Sequence, residues 1–428
     1  MHHDDPRRLT RATWAVLAVF FLAGFIFASW ASRLPAVQSR LGLEPDQMGL
    51  LLLFTAIGSI CALPLSGMVV GRLGSRRAVL FFTAVAAVGY VGVTVAYAQE
   101  SVGLARAALL VAGVGIGVWD AAMNLQGAHV EQQLGRAIMP RFHASFSFGT
   151  VAGAGFGAAA AWLDLSVPVH VLVALALTIV GVVVSVTAFL PDVAPAGAPG
   201  AAAADLSADG THRDDTRTDP ASAPVPVRGA WAAWLEPRTL LIGLVVLGAA
   251  LTEGAANDWA AIATVHGFDV EASTGAAALT VFLVAMTGMR LVGTALLDRW
   301  GRVTVLRLCG ALALVGVVIF ALVPSLPLAM VGIALWGIGA ALGFPVGMSA
   351  ASDEPVRAAA RVSVVATIGY SAFFLGPPVI GFIAHHTGYR HALLFVAVPV
   401  ALGLVVMNAV RPLRGAVGQA SSDAPAPA

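Results

Sequence analysis

The chain is poor in charge and in reactive side chains. Asp, Glu, Lys and Arg make up 11% of its 428 residues, and every one of the 24 basic residues is arginine. This charged fraction is under half of that in typical soluble proteins. A formal net charge of +1, without a dense basic cluster, argues against nucleic acid as a partner. Cys61 and Cys309 lie in separate apolar runs without metal-ligand spacing. With no nucleophile–base pair or phosphate loop apparent, we expect no metal, no cofactor and no enzyme.

Long apolar runs dominate instead, and 58% of the residues are hydrophobic. About 20 apolar residues cross a bilayer as a helix. The sequence therefore predicts an all-α membrane protein, embedded in a lipid bilayer, with twelve transmembrane helices in two six-helix pseudo-symmetric bundles. The predicted spans are Trp14–Ser32, Met48–Val70, Ala78–Ala98, Val102–Gln126, Phe142–Trp162, Val167–Leu190, Thr239–Val265, Thr274–Leu297, Val303–Val323, Leu326–Ala350, Val362–Ala384 and His391–Val410.

One internal stretch differs in composition from the spans. Pro191–Arg228 is rich in Ala, Pro, Gly, Asp, Thr and Arg and lacks apolar periodicity, which is typical of a flexible linker. The predicted organisation is a first bundle at 1–190, a linker at 191–237, a second bundle at 238–411 and a disordered tail at 412–428.

Arginine placement predicts the orientation in the membrane. If the N-terminus is inside, the predicted outer loops hold only Arg33, Arg40 and Arg390, and most other arginines fall on the inner side. Positive residues concentrate in cytoplasmic loops, so we expect both termini and the linker to be cytoplasmic. Arg290 lies within a span near its cytoplasmic end and is expected to extend its head toward the interface.

The two halves of the chain repeat each other. GRLGSRRAVL at 71–80, after the second span, corresponds to LDRWGRVTVL at 297–306, after the eighth. A second correspondence, at a slightly different offset, relates two polar stripes with i, i+4, i+7 spacing. These stripes are His143, Ser147 and Thr150 in the first half and Ser363, Thr367 and Tyr370 in the second half. A duplicated six-helix unit is a known transporter architecture.

Each half also carries an acid and an amide four residues apart within an apolar span. Asp120 precedes Asn124, and Glu253 precedes Asn257. An acid at membrane depth is costly and usually faces a wet cavity or a protein interior. We predict Asp120 and Glu253 as proton-coupling groups, and His143 as a possible relay because histidine titrates near neutral pH. The alternatives are a helix-packing role for Asp120, an outer-mouth position for Glu253 and a packing role for His143.

The remaining candidates are assigned by residue chemistry. Polar and aromatic side chains near these acids can bind a solute, although tryptophans in spans more often pack or lie at the interface. The predicted solute-binding set is Trp119, Asn124, Gln126, Ser147, Asn257, Trp259, Thr367 and Tyr370. The predicted gating set in the short basic loops is Arg72, Arg76, Arg77, Asp298, Arg299 and Arg302. These loop residues could instead be plain positive-inside anchors.

The loop after the second span resembles the loop motif of the major facilitator superfamily. It appears here as Gly67-MVV-Gly71-Arg72-Leu73-Gly74-Ser75-Arg76-Arg77 and again as Asp298-Arg299-Trp300-Gly301-Arg302. Gly71 stands where that family usually has Asp, and the second copy keeps the acid. The resemblance implies a bacterial inner-membrane transporter that works by alternating access.

A shorter motif resembles the fourth helix of fucose-type sugar:proton symporters. WDAAMN at 119–124 places an acid four residues before an amide, which by that resemblance makes Asp120 the proton carrier and Asn124 a solute contact. The first span lacks the acid of those symporters. WDAAMN and PRFHASFS (140–147) also resemble motifs of a little-characterised bacterial subfamily. We expect a monomeric proton-coupled symporter of a small polar, sugar-like solute.

The alternative is proton-antiport efflux of drugs or metabolites. Antiporters of the superfamily tend to carry a glycine-rich motif with proline in the fifth helix. Here Gly149, Gly153, Gly155 and Gly157 are present without a following proline, which disfavours antiport.

Overall fold

A computed structural model describes residues 6–134, 138–191, 233–354 and 357–412. Most of the predicted linker and tail lie outside these ranges. The described residues form helices and no strands. The first half contains α1 (Pro6–Ala31), α2 (Leu34–Leu41), α3 (Pro45–Leu73), α4 (Ser75–Ala98), α5 (Val102–Leu134), α6 (Met139–Trp162) and α7 (Val167–Ser185). The second half contains α8 (Pro237–Phe268), α9 (Ala272–Trp300), α10 (Arg302–Leu322), α11 (Leu326–Ala340), α12 (Gly343–Ala351), α13 (Ala358–Thr387), α14 (Tyr389–Ala392) and α15 (Ala397–Val405).

The predicted all-α membrane fold is confirmed, but the count of twelve spans is not exact. Ten helical segments of the described ranges are long and apolar enough to cross a membrane. The predicted span at 142–162 corresponds to α6, whose glycines and hydroxyl residues lower its hydropathy. The last predicted span is broken into α14, α15 and short 3-10 turns.

The sequence repeat has a counterpart in the backbone. Gly74 joins α3 to α4 with φ 78°, and Gly301, at the corresponding position of the second half, joins α9 to α10 with φ 75°. Gly42 and Asp269, which have the same separation in sequence, have φ 60° and φ 52°. These left-handed positions end one helix tightly before the next begins, and glycine adopts them without steric cost. The duplicated motif therefore builds the same tight turn twice.

Glycines bring α1 and α6 into backbone contact. A Cβ atom added to Gly153 would lie 2.1 Å from the Phe25 carbonyl oxygen, and one added to Gly24 would lie 2.2 Å from that of Phe146. Gly155, on the same helix as Gly153, has no such neighbour within 4 Å. Small residues let membrane helices approach this closely. The glycine-rich run thus fixes α6, which carries His143 and Ser147.

The two halves meet at one face of the molecule and separate toward the other. We define the linker side as the face where α7 ends and α8 begins, and the far side as the opposite face. At the far side, a Cβ on Gly49 of α3 would lie 2.5 Å from the carbonyl oxygen of Pro377 in α13. Gln38 donates a 2.6 Å hydrogen bond to the Tyr389 hydroxyl across the same boundary.

Toward the linker side, α3 loses these neighbours. Cβ positions at Gly67 and Gly71 have no described atom within 4 Å. Gly288 of α9 is equally open. The described helices therefore adopt a conformation closed at the far side and open at the linker side.

Candidate functional site

Asp120 and Asn124 of α5 are brought together as their spacing predicts. The Asn124 Nδ2 atom donates to the Asp120 backbone carbonyl at 2.9 Å and to the Asp120 carboxylate at 3.3 Å. Asp120 is solvent-exposed although it lies mid-helix in an apolar span. Among the described residues, no arginine or histidine pairs with its carboxylate. Asp120 is therefore an accessible acid without a counter-charge, held by one amide.

Glu253 of α8 has a different partner. The Arg290 guanidinium of α9 donates to the Glu253 carboxylate at 2.9 Å, forming an ion pair. Arg290 also donates to the Ser147 hydroxyl of α6 at 3.0 Å and to the Ala341 carbonyl at 3.2 Å. The Ser147 bond crosses from the second half to the first. Arg290 thus joins three helices instead of extending to the membrane interface.

Tyr370 of α13 reaches the acid of the opposite half. Its side chain is 51% exposed and close enough to interact electrostatically with the Asp120 carboxylate. Thr367, one turn earlier, is exposed and donates to the Ser363 carbonyl at 2.8 Å. His143 is also exposed, with its ring edge-on to Phe20 at 5.3 Å between centroids.

These groups occupy similar depths in the molecule. A helix rises 1.5 Å per residue, so these residues lie about 12–24 Å along their helices from the helix ends at the linker side. We name them the central polar cluster. Its members are Asp120, Asn124, Ser147, Glu253, Arg290 and Tyr370. The cluster takes residues from both halves and lies where the open side of the molecule can admit solute.

Four predicted solute contacts lie elsewhere. Gln126 is fully buried and donates to the Leu190 carbonyl at 3.4 Å. Trp119 is 3% exposed, Trp259 is 1% exposed, and the Trp259 ring lies 6.4 Å from that of Tyr389 near the far side. Asn257 is 9% exposed and makes no hydrogen bond to Glu253 in the described ranges. Because these side chains are buried, they are not accessible to a solute in this conformation.

Of the predicted gating residues, Arg302 has the best-defined contacts. It donates to the Asp353 carboxylate at 2.7 Å and to the Ser349 hydroxyl at 3.3 Å. Asp353 also accepts a 2.9 Å bond from Arg238, so both its oxygens are held by arginine. All four residues belong to the second half, and the network braces that bundle.

The other predicted gating residues lie on the open face. Arg72, Arg76, Arg77, Asp298 and Arg299 are exposed, and no ion pair is formed by them within the described ranges. Within the described ranges these loop residues form no ion pair across the halves, so their gating role stays a prediction.

Two charged groups that the sequence did not place in the candidate site have clear structural roles. Arg290 belongs to the central polar cluster, and Glu236 organises the start of α8. The Glu236 carboxylate accepts bonds from Arg361 at 2.6 Å and Arg357 at 3.0 Å. The Arg361 guanidinium, with the Thr239 hydroxyl and Arg357, holds the pKa of Glu236 below its ordinary value of 4.5. An arginine and an acid within neighbouring apolar spans were the available signal for the Arg290–Glu253 pair.

Sequence comparison identifies relatives over almost the whole chain. The sequence profile of the Major Facilitator Superfamily matches residues 5–139, 129–371 and 259–427. An uncharacterized transporter of Sinorhizobium fredii is 32% identical over 406 residues, covering 94% of this chain and 98% of that protein. An uncharacterized MFS-type transporter of Yersinia pestis is 32% identical over 369 residues, covering 85% of this chain and 87% of that protein.

Solved structures share the fold. A mutant of the nucleoside transporter NupG superposes with a TM-score of 0.70 at 15% identity, covering 93% of this chain and 98% of that one. The E. coli fucose:proton symporter FucP superposes with a TM-score of 0.59 at 16% identity, covering 94% and 98%. Together with the family match and the two relatives at 32% identity, this fold shows that the chain is a multi-pass membrane transporter, not an enzyme, and belongs to the Major Facilitator Superfamily.

Proposed function

We propose that the protein is a proton-coupled symporter that imports a small polar, sugar-like solute by alternating access, with Asp120 as the proton site. The observation that carries the proposal is the unpaired Asp120 carboxylate, exposed at mid-membrane depth and hydrogen-bonded to Asn124. A carboxylate that lacks a counter-charge can gain a proton without breaking an ion pair. Glu253 lacks this freedom because Arg290 already neutralises it.

The Asp120–Asn124 contact gives a physical route to coupling. The ionised carboxylate only accepts hydrogen bonds, so it engages the Asn124 amide as a donor. On protonation, Asp120 gains a donor and loses its charge, so its bond to the Asn124 amide weakens and that amide turns more readily to a solute hydroxyl or carbonyl. Proton binding and solute binding then favour each other, as symport requires.

Charge in the cluster favours a neutral solute. Three nitrogen atoms of Arg290 are already engaged by Glu253, Ser147 and Ala341, so this arginine offers little to an anion. Asp120 would repel an anion until it is protonated. Asn124 and the exposed Tyr370 suit a solute with several hydroxyl groups, and the Tyr370 ring suits its apolar face. The Ser147 hydroxyl is fully buried and already bonded to Arg290, so it positions the cluster and does not contact solute in this conformation.

The orientation belongs to the same proposal. The arginine distribution supports a cytoplasmic linker side in a bacterial inner membrane, with both termini inside. The conformation described above is then open to the cytoplasm, the state from which an importer releases solute and proton. Likeness to a fucose:proton symporter and a nucleoside transporter is compatible with a polyhydroxylated solute.

A ligand screen at two pH values tests the proposal. Purified monomeric protein is heated with sugars, nucleosides, organic acids or cationic dyes at pH 5.5 and pH 8. We expect a sugar or nucleoside to raise the unfolding temperature more at pH 5.5, and Asn124→Ala to lose the effect at both. Stabilisation by cationic dyes alone would contradict symport and favour efflux by antiport.

A further inference from the structure

A buried arginine and a buried histidine lie together at the far side of the first bundle, away from the central polar cluster. Arg33 follows α1 and is 6% exposed, and His170, in the first turn of α7, is 1% exposed. Arg33 Nη2 donates to the Leu165 carbonyl at 2.6 Å. Its Nε and Nη1 atoms, and both ring nitrogens of His170, have no hydrogen-bond partner in the described part of the chain.

Local packing places the two side chains next to each other. Arg33 is close enough to act electrostatically on His170. A Cβ on Gly157 would collide with the Ser32 hydroxyl and lie 3.4 Å from His170 Cε1, so the residue before Arg33 borders the imidazole. The Phe156 ring closes another face of His170 at 4.9 Å between centroids.

The charge of Arg33 is not balanced locally. Within the described ranges no carboxylate lies at ion-pair distance from it, and an unpaired buried charge is costly. The first turn of α7 adds to the positive potential, because helix N-termini carry partial positive charge and the Ser166 side chain does not cap this one.

A second far-side arginine shows the contrast. Arg390 of α14 donates to the carbonyls of Phe320 and Val323 at the end of α10. Its guanidinium also lies 4.0 Å from the Phe268 ring centroid. Arg390 is therefore placed against negative helix-end dipoles and an aromatic face, whereas Arg33 has one carbonyl and two unused donor nitrogens.

We propose that Arg33 and His170 bind a small inorganic monovalent anion of halide size. Such an ion accepts hydrogen bonds from all sides, compensates the Arg33 charge and needs no acceptor in return. Arg33 immediately precedes α2, whose Gln38 bonds to Tyr389 across the far-side boundary. A bound anion therefore stabilises the start of α2, the helix whose Gln38 holds the far side closed.

The test compares unfolding temperatures in sodium chloride, sodium bromide and sodium gluconate at equal ionic strength. Wild type is expected to show a saturable rise in halide over gluconate. Arg33→Gln and His170→Phe should lose the rise. Arg40→Gln should keep it, because Arg40 is an exposed arginine nearby that pairs with Glu100 at 3.0 Å.

Three results would overturn the proposal. Equal unfolding temperatures in halide and gluconate for wild type would mean that ordered water satisfies these donors. A halide effect that persists in His170→Phe would place the ion elsewhere. Loss of the halide effect in Arg40→Gln would mean that halide acts by general screening of surface charge and not by binding at Arg33. If Arg33→Gln does not fold, His170→Phe alone decides between these results.

Discussion

Substituting Gly153 by alanine tests whether close contact between α1 and α6 positions the site. The added Cβ would lie 2.1 Å from the Phe25 carbonyl oxygen, whereas ordinary contact begins near 3.4 Å. Because close-packed helices cannot absorb such an overlap in place, they must separate locally by roughly 1 Å. Overpacking of this kind costs about 1–3 kcal/mol. Because Ser147 of α6 accepts a 3.0 Å bond from Arg290, the same displacement should weaken this contact between the halves and disturb the central polar cluster.

Gly155→Ala is the matched control on the same helix. Nothing lies within 4 Å of its Cβ position, so this variant keeps the backbone effect of replacing glycine but creates no clash. Alanine favours helix over glycine by about 1 kcal/mol, and this contribution cancels between the two variants. We therefore expect Gly153→Ala to be less stable than Gly155→Ala by about 1–3 kcal/mol.

Unfolding of the first bundle can be followed at a cysteine introduced at Ala174 of α7, a position that is fully buried. A thiol-reactive dye labels Ala174→Cys only when the first bundle opens, provided that Cys61 and Cys309 are replaced by serine. Heating the purified variants in detergent with this dye gives their relative stabilities. Equal unfolding temperatures for Gly153→Ala and Gly155→Ala would refute the close packing of α1 on α6.

Three further predictions concern the periphery of the site. Tyr389→Phe removes the 2.6 Å bond from Gln38, which contributes about 0.5–1.5 kcal/mol. A cysteine introduced at the far side should then react faster with a thiol reagent. An unchanged reaction rate would contradict a role of this bond in closing the far side. Glu236→Gln should lower the unfolding temperature at pH 7. Since Arg361 depresses the pKa of Glu236, the stability it contributes is present above pH 4.5 and is lost as pH falls below that value; a difference from wild type that stays constant at low pH would contradict this. Asp353→Asn leaves Arg238 and Arg302 without their carboxylate and should destabilise the second bundle by about 2–4 kcal/mol. Chemical unfolding measures this loss. An unchanged free energy of unfolding would contradict the stabilising role of this ion-pair network.

Contacts within one helix could be predicted from spacing, and contacts between helices could not. The i, i+4 spacing of Asp120 and Asn124 gave a pair that the structure joins by a hydrogen bond. The same spacing at Glu253 and Asn257 did not give a hydrogen-bonded pair, because Arg290 on the next helix binds Glu253. Helical periodicity contains no information about which neighbour faces a given side chain, so the ion pair was missed.

The repeat was a better guide to backbone than to side chains. The duplicated loop motif predicted two equivalent turns, and Gly74 and Gly301 adopt nearly the same φ. The side chains that follow the turn differ, because Arg302 after Gly301 stands where the first copy has Ser75 after Gly74. Arg302 binds Asp353 from another loop, and this contact has no counterpart that the repeat alone could predict.

Transport by Asp120→Asn in reconstituted vesicles tests the proton site most directly. The asparagine keeps the size and hydrogen-bonding capacity of the side chain but cannot titrate. With a solute identified by the ligand screen, we expect counterflow exchange to continue while accumulation driven by a pH gradient stops. Glu253→Gln serves as the comparison, with a smaller effect of pH because Arg290 neutralises Glu253. If Asp120→Asn still accumulates solute in proportion to the pH gradient, Asp120 is not the coupling site.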